Sequence, residues 1–183
     1  NVYCETNDVM TFLAQIKEPK YDYIVLFECI YFLKSWEEVL KLALASLKPG
    51  GSIFITWPNP LKEDFVRCDH TYKYPLLSEI NTFIGNNDHK YSTLFFGYGS
   101  YDSNSLSTRI KSKLKLIAKK LNLIPKTQSG RILLKRIFQG KMLVMPNLIN
   151  YLEFDVTSLD SINSEKDLLS INPIVIYCHI IKD

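Results

Sequence analysis

The stretch YDYIVLFECIYFLKSWEEVLKLALASLKPGGSIFITWPNP, residues 21–60, changes its hydrophobic period twice in forty residues. Residues 21–27 form a short, nearly continuous apolar run that ends at Glu28, the pattern of a strand buried on both faces. Ser35, with Glu38 three residues on, reads as a capping box opening a helix from about Trp36 to Leu47. That helix keeps Val39, Leu40, Ala43, Leu44 and Leu47 on one face. Pro49 cannot continue it, and Gly50-Gly51 supply the backbone freedom for a sharp reversal. SIFITW, residues 52–57, then reads as a second buried strand. Strand, helix and strand with a tight return make a βαβ unit, so 24–27 and 53–57 are expected to be adjacent and parallel.

Elements of the same kinds flank this unit. NVYCET at the start alternates weakly, as a short strand does. NDVMTFLAQI places Val9, Phe12, Leu13 and Ile16 at helical spacing before Pro19 breaks the pattern. YPLLSEINTFIG reads as a helix ending at Gly85, KYSTLFF as a strand, and NPIVIYCHII as a closing strand. The class is α/β, in which ligands sit outside the carboxyl ends of strands.

The bulk numbers suit one globular domain over 1–183: 46% of the residues are hydrophobic and 22% are charged. Cys4, Cys29, Cys68 and Cys178 show neither a C-x-x-C pair nor metal-ligand spacing. They are expected to be reduced, mostly buried thiols of a cytoplasmic protein, with no metal site. No apolar run approaches the roughly 18 residues of a membrane span, and NVYCETNDVM lacks the basic start of a signal peptide. The sequence opens without Met inside an apparent strand, so it is expected to begin partway into a domain.

Charge divides the chain unevenly. Residues 103–152 hold eleven Lys and Arg and no acid, which leaves eleven bases against all nineteen acids elsewhere. Leu106, Ile110, Leu114, Ile117 and Leu121 form a helical stripe within this insert, expected to face the core. The insert reads as a solvated lid, as a helix on an anionic membrane surface, or as a dock for an anionic acceptor. With only Phe138 and Tyr151 available to stack on bases, nucleic acid ranks below anionic lipid or small molecule.

Three strand ends are candidates for a site: Thr6-Asn7-Asp8, Phe27-Glu28-Cys29 and Trp57-Pro58-Asn59. Asp8 reads either as a helix cap or as an acceptor for a nucleobase amino group. The ordered string from aromatic-Asp through the apolar strand, Glu28, the helix, LKPGG, the second strand and PN resembles the second half of class I S-adenosylmethionine-dependent methyltransferases. CDHTYKY and INPIVIYCHIIKD extend the likeness more loosely.

The resemblance implies a Rossmann-like sheet, mostly parallel with an antiparallel last strand. It implies S-adenosylmethionine as cofactor, with Asp8 and Val9 at the adenine and Phe27 and Glu28 lining cofactor and acceptor. His70 matches a later histidine of the family; it reads as a base toward an acceptor hydroxyl or as a surface residue at the start of a helix. Where members commonly carry Glu-His, this chain has Tyr31 and Phe32. The family's glycine-rich loop and first strands have no counterpart here, and the sole G-x-G is Gly97-Tyr98-Gly99. The 24–27 strand is therefore expected to have one open edge, to be covered by further residues or by a partner chain. The function implied is methyl transfer to oxygen or nitrogen of a small-molecule, glycan or lipid-linked acceptor. The alternative is an inactive scaffold of this fold that binds protein.

Overall fold

The computed structural model describes residues 4, 6–62, 65–86, 91–98, 110, 113, 114, 117 and 159–183. The chain divides into two units, 1–100 with 159–183, and 101–158.

In the first unit α1 (Val9–Ala14) leads to β1 (Tyr21–Phe27), α2 (Trp36–Ser46) and β2 (Leu47–Pro58). Then come α3 (Leu77–Gly85), β3 (Tyr91–Tyr98), β4 (Asp160–Ile162), α4 (Glu165–Ile171) and β5 (Val175–Lys182). The five strands form one sheet in the order β1-β2-β5-β3-β4. β1 and β2 pair in parallel, with Ile24 opposite Ile53 and Phe27 opposite Thr56, as the βαβ reading requires. β5 runs antiparallel to both β2 and β3, so β1, β2 and β3 share one direction and the last strand opposes them. The short β4 and the helix α4 were not anticipated. Ser164 caps α4 by accepting from the Asp167 amide, while Asp167 accepts from the Ser164 amide.

The PGG stretch is more than a turn. Between Tyr21↔Leu47 and Tyr23↔Ser52, β1 spends one residue while β2 spends Lys48 to Gly51, so β2 bulges out and rejoins in register. Gly50 has φ 74°, a left-handed conformation. A Cβ on Gly51 would stand 2.9 Å from the Lys48 carbonyl oxygen and 3.1 Å from that of Asp22. Across the bulge the Lys48 Nζ pairs with Asp22 at 2.9 Å.

The core lies on one face of the sheet. Leu26, Ile53, Ile55, Trp57, Ile176, Cys178 and Ile180 alternate inward and meet Val39, Leu40, Ala43 and Leu44 of α2, Ile80 and Ile84 of α3, and Leu168 of α4. The other alternation is open: Tyr23, Val25 and Phe27 of β1, with Leu94 and Tyr98 of β3, are exposed. β1 is thus not buried on both faces, and its outer edge has no neighbour among the described residues.

Three further expectations are corrected. Ser35 makes no side-chain cap bond to α2; its carbonyl accepts from Glu38 and Val39 instead, and Glu37 and Glu38 favour the helix start by charge. Of the four free cysteines only Cys178 is buried, because the others lie outside the inward-facing positions of the strands. In the second unit Ile110, Leu114 and Ile117 are helical and exposed rather than core-facing. Lys113 is likewise helical and exposed, and the rest of the 103–152 insert lies outside the described residues, as does most of the NVYCET stretch, of which Cys4 and Thr6 are not strand.

Candidate functional site

At the carboxyl end of β1, Glu28 has φ 52°, a left-handed conformation that a glutamate adopts only when its surroundings hold it there. The hold comes from β2. The Glu28 amide donates to the Thr56 carbonyl at 3.1 Å and to Thr56 Oγ1 at 3.0 Å. This turns the side chain out of the sheet's alternation, and Glu28 is exposed.

A one-turn 3-10 helix, Ile30–Phe32, follows at once and brings the Tyr31 hydroxyl to Glu28, to which it donates at 2.9 Å. Burial, and then the Glu28 carboxylate, push the Tyr31 phenol well above its ordinary range, so it remains a donor. Burial and Glu28 likewise raise the Cys29 thiol, which opposes a nucleophilic thiolate at that position. Tyr31, which stands where members of the family commonly carry a polar residue, therefore still makes a polar contact.

The loop after β2 latches onto this corner. The Tyr72 amide donates to the Tyr31 carbonyl at 2.9 Å. The Tyr74 ring stacks on Tyr31 at 4.5 Å, and Phe65 meets Tyr74 edge-on at 4.8 Å. Arg67 braces the loop from within, donating to Thr71 Oγ1 at 3.2 Å, to the Thr71 carbonyl at 2.8 Å and to the Tyr72 carbonyl. His70 sits exposed on the turn that Thr71 closes onto Cys68. The second strand end, by contrast, is committed to packing. Trp57 is fully buried, and Asn59 donates to the carbonyls of Leu168 and Pro173 at 3.3 and 3.2 Å.

Asp8 is the N-cap of α1, its Oδ1 accepting from the Thr11 amide at 3.0 Å and from the Thr11 hydroxyl at 3.2 Å. The Thr11 amide holds the carboxyl below its usual range, against an opposing effect of desolvation. Val9 is half-buried, packed against the core as the first residue of α1. The sequence thus located Phe27 and Glu28 at one corner. It missed Tyr31, Tyr74 and Arg67, although the i, i+3 spacing of Glu28 and Tyr31 was a usable signal. Among the described residues no group of His, Cys, Asp and Glu could hold a metal ion.

Residues 5–86 match the model of a methyltransferase domain family. No curated protein matches the sequence. Among solved structures, a S-adenosylmethionine-dependent methyltransferase from Archaeoglobus fulgidus aligns with a TM-score of 0.54 at 12% identity, covering 98% of this chain and 66% of that one. The phosphoethanolamine N-methyltransferase 2 of Haemonchus contortus aligns at 0.45 and 12% identity, covering 96% and 36%. The plantazolicin methyltransferase BamL aligns at 0.43 and 13% identity, covering 96% and 58%. The chain therefore spans about two thirds or less of the length of these proteins. The first of these alignments shares the Rossmann-like fold described above.

Proposed function

We propose, from the match of residues 5–86 to a methyltransferase domain family and the resemblance of residues 21–60 to class I S-adenosylmethionine-dependent methyltransferases, that this chain takes part in methyl transfer to a small-molecule or lipid-linked acceptor. The observation that carries the reading is Glu28, an exposed carboxylate held in a strained conformation at the carboxyl end of a parallel strand. When bound, the cofactor supplies an electrophilic methyl group on a cationic sulfonium. The chemistry of the donors fits it in part. Asp8 is exposed and both of its Thr11 bonds fall on Oδ1, which suits an acceptor for the adenine amino group. Phe27 and Glu28 offer an apolar surface and a negative charge to the sulfonium end. Gly97 of the G-x-G does not read as a cofactor loop, because a Cβ there would meet Pro173 at 2.8 Å and Ile162 at 2.9 Å. In this reading the residues mainly position the reactants, since in-line transfer needs alignment more than a strong base; where the acceptor is a hydroxyl, His70 on its exposed turn is the proposed acceptor of its proton.

Calorimetric titration with S-adenosylmethionine tests the reading; no binding by the folded chain would favour the scaffold alternative. Asp8→Asn sharpens the test, because Asn caps a helix about as well as Asp while removing the charge. The variant is expected to keep its thermal stability at neutral pH and to bind the cofactor about tenfold more weakly. An unchanged dissociation constant would leave Asp8 as a cap alone. The cap's own pH dependence has a definite sign. With the folded carboxyl below its unfolded value, its contribution is present above the ordinary carboxylate range and is lost as pH falls through the lowered value.

The insert adds a second surface to this proposal. Exposed Ile110, Leu114 and Ile117 on a helix within a segment of eleven bases and no acids support docking on an anionic membrane. Vesicles containing phosphatidylserine are expected to bind the protein at low salt and release it as the screening length falls to about 10 Å at 0.1 M. Replacing Lys111, Lys115 and Lys119 with Gln should weaken binding without unfolding the chain. Equal binding to neutral vesicles would return the segment to a solvated lid.

A further inference from the structure

The open face of the sheet ends at the Glu28 corner, and what gathers there is unusual in composition. Phe27, Thr56, Tyr177 and Phe96 are successive cross-strand partners, so their side chains share one face in one row. Tyr98 extends the row, its ring meeting that of Tyr177 edge-on at 6.5 Å. Glu28 follows Phe27 directly, with the Tyr31 hydroxyl on its carboxylate. The Tyr177 phenol is raised by burial first, then by Tyr98 and by Glu28, which places the carboxylate within electrostatic reach of that ring. Among the described residues, no Lys or Arg is one of the groups acting on Tyr31 or Tyr177. Beyond the row the face stays apolar and open through Val25 and Tyr23, the latter 69% exposed.

Among the described residues, one carboxylate and several aromatic rings gather at this corner, while Arg67 directs its guanidinium to Thr71 and Tyr72, and such a surface discriminates by charge. An ammonium gains an ion pair with Glu28 and cation–π attraction from the rings, whereas a carboxylate or phosphate is repelled and a neutral hydroxyl gains neither. We infer that the acceptor held at this corner is an organic amine on an apolar body, with its nitrogen beside Glu28 and its body along the Tyr23–Val25–Phe27 face. This rests on the methyltransferase reading, of which it specifies the substrate class. The reaction balances without any further reagent. The ammonium first loses a proton to solvent, and the nitrogen lone pair then forms the N–C bond as the carbon's bond to sulfur breaks. The positive charge passes to nitrogen, which remains opposite the Glu28 carboxylate. Product and substrate are therefore held by the same groups.

The test is calorimetric titration of the full chain with n-hexylamine near neutral pH, with n-hexanol and hexanoate as probes of equal length. Hexylamine is expected to bind at least about tenfold more tightly than either control. Glu28→Gln should remove most of that preference, and Tyr98→Leu, at an exposed ring outside the core, should reduce it about threefold. The same samples are titrated with S-adenosylmethionine, and far-UV circular dichroism checks that each variant is folded. A chain that binds the cofactor but treats amine, alcohol and carboxylate alike, or whose amine preference survives Glu28→Gln, overturns the amine assignment. A chain that shows the Glu28-dependent amine preference but no affinity for the cofactor retains the cation site and removes the methyltransferase reading instead.

Discussion

Trp57→Ala is expected to destabilise the first unit by about 3–5 kcal/mol, read as a lowered urea midpoint followed by circular dichroism. Trp57 is fully buried at the carboxyl end of β2, with Ile176 of β5 as its cross-strand partner. Truncating so large a ring in the middle of the sheet leaves a cavity that the β1–β2–β5 ladder cannot collapse without breaking register. Its Nε1 is buried with no hydrogen-bond partner among the described residues, so the loss is one of packing. Trp57→Phe follows from the same fact. It removes the unpaired N–H, whose burial costs about 1–3 kcal/mol, along with part of the ring, and should be far milder than the alanine variant. A loss below about 1 kcal/mol for Trp57→Ala would show that the strand end is not packed as described.

Gly51→Ala is expected to cost about 2–3 kcal/mol, more than the same change at Gly50. At Gly51 the added carbon would face the backbone oxygens of Lys48, Asp22 and Tyr21 at 2.9, 3.1 and 3.2 Å, none of which can move without opening the β1–β2 ladder. At Gly50 nothing lies within 4 Å, and the penalty is only the left-handed backbone, about 1–2 kcal/mol for alanine. Gly50→Asn should be milder still, because Asn tolerates that conformation. Thermal unfolding of the three variants distinguishes the positions. A Gly51→Ala protein as stable as the parent would mean that the bulge does not hold the two strands this closely.

These two positions also show how far the sequence could be read. Pro49-Gly50-Gly51 announced a reversal through local chemistry alone, since only glycine adopts φ 74° without strain. That the reversal is a four-residue bulge packed under the carbonyls of β1 depended on register, which no local pattern carries. The α2 terminus is a similar case. The sequence ended the helix correctly, but its last carbonyls are met by Lys182, whose Nζ donates to Leu47 at 2.7 Å from the far end of the chain. At the site, Glu28 was legible as an acid closing an apolar strand. Its strained backbone, set by Thr56, and its tyrosine neighbours were not, because those contacts join residues up to about 150 positions apart in the chain.

The sequence by itself determined the βαβ unit, the order of its elements and the strand end that carries the acid. Each follows from hydrophobic period and turn chemistry, which act over a few residues. The tertiary structure alone decided which face of the sheet is covered and which stays open. Apolar residues at Tyr23, Val25 and Phe27 read the same whether or not a helix lies over them, and only the placement of α2, α3 and α4 on the opposite face leaves them exposed. It likewise decided that Asn59 is a structural staple and Glu28 a presented group, since one buries its bonds on the carbonyls of α4 and of the turn before β5 and the other is turned outward by a single threonine.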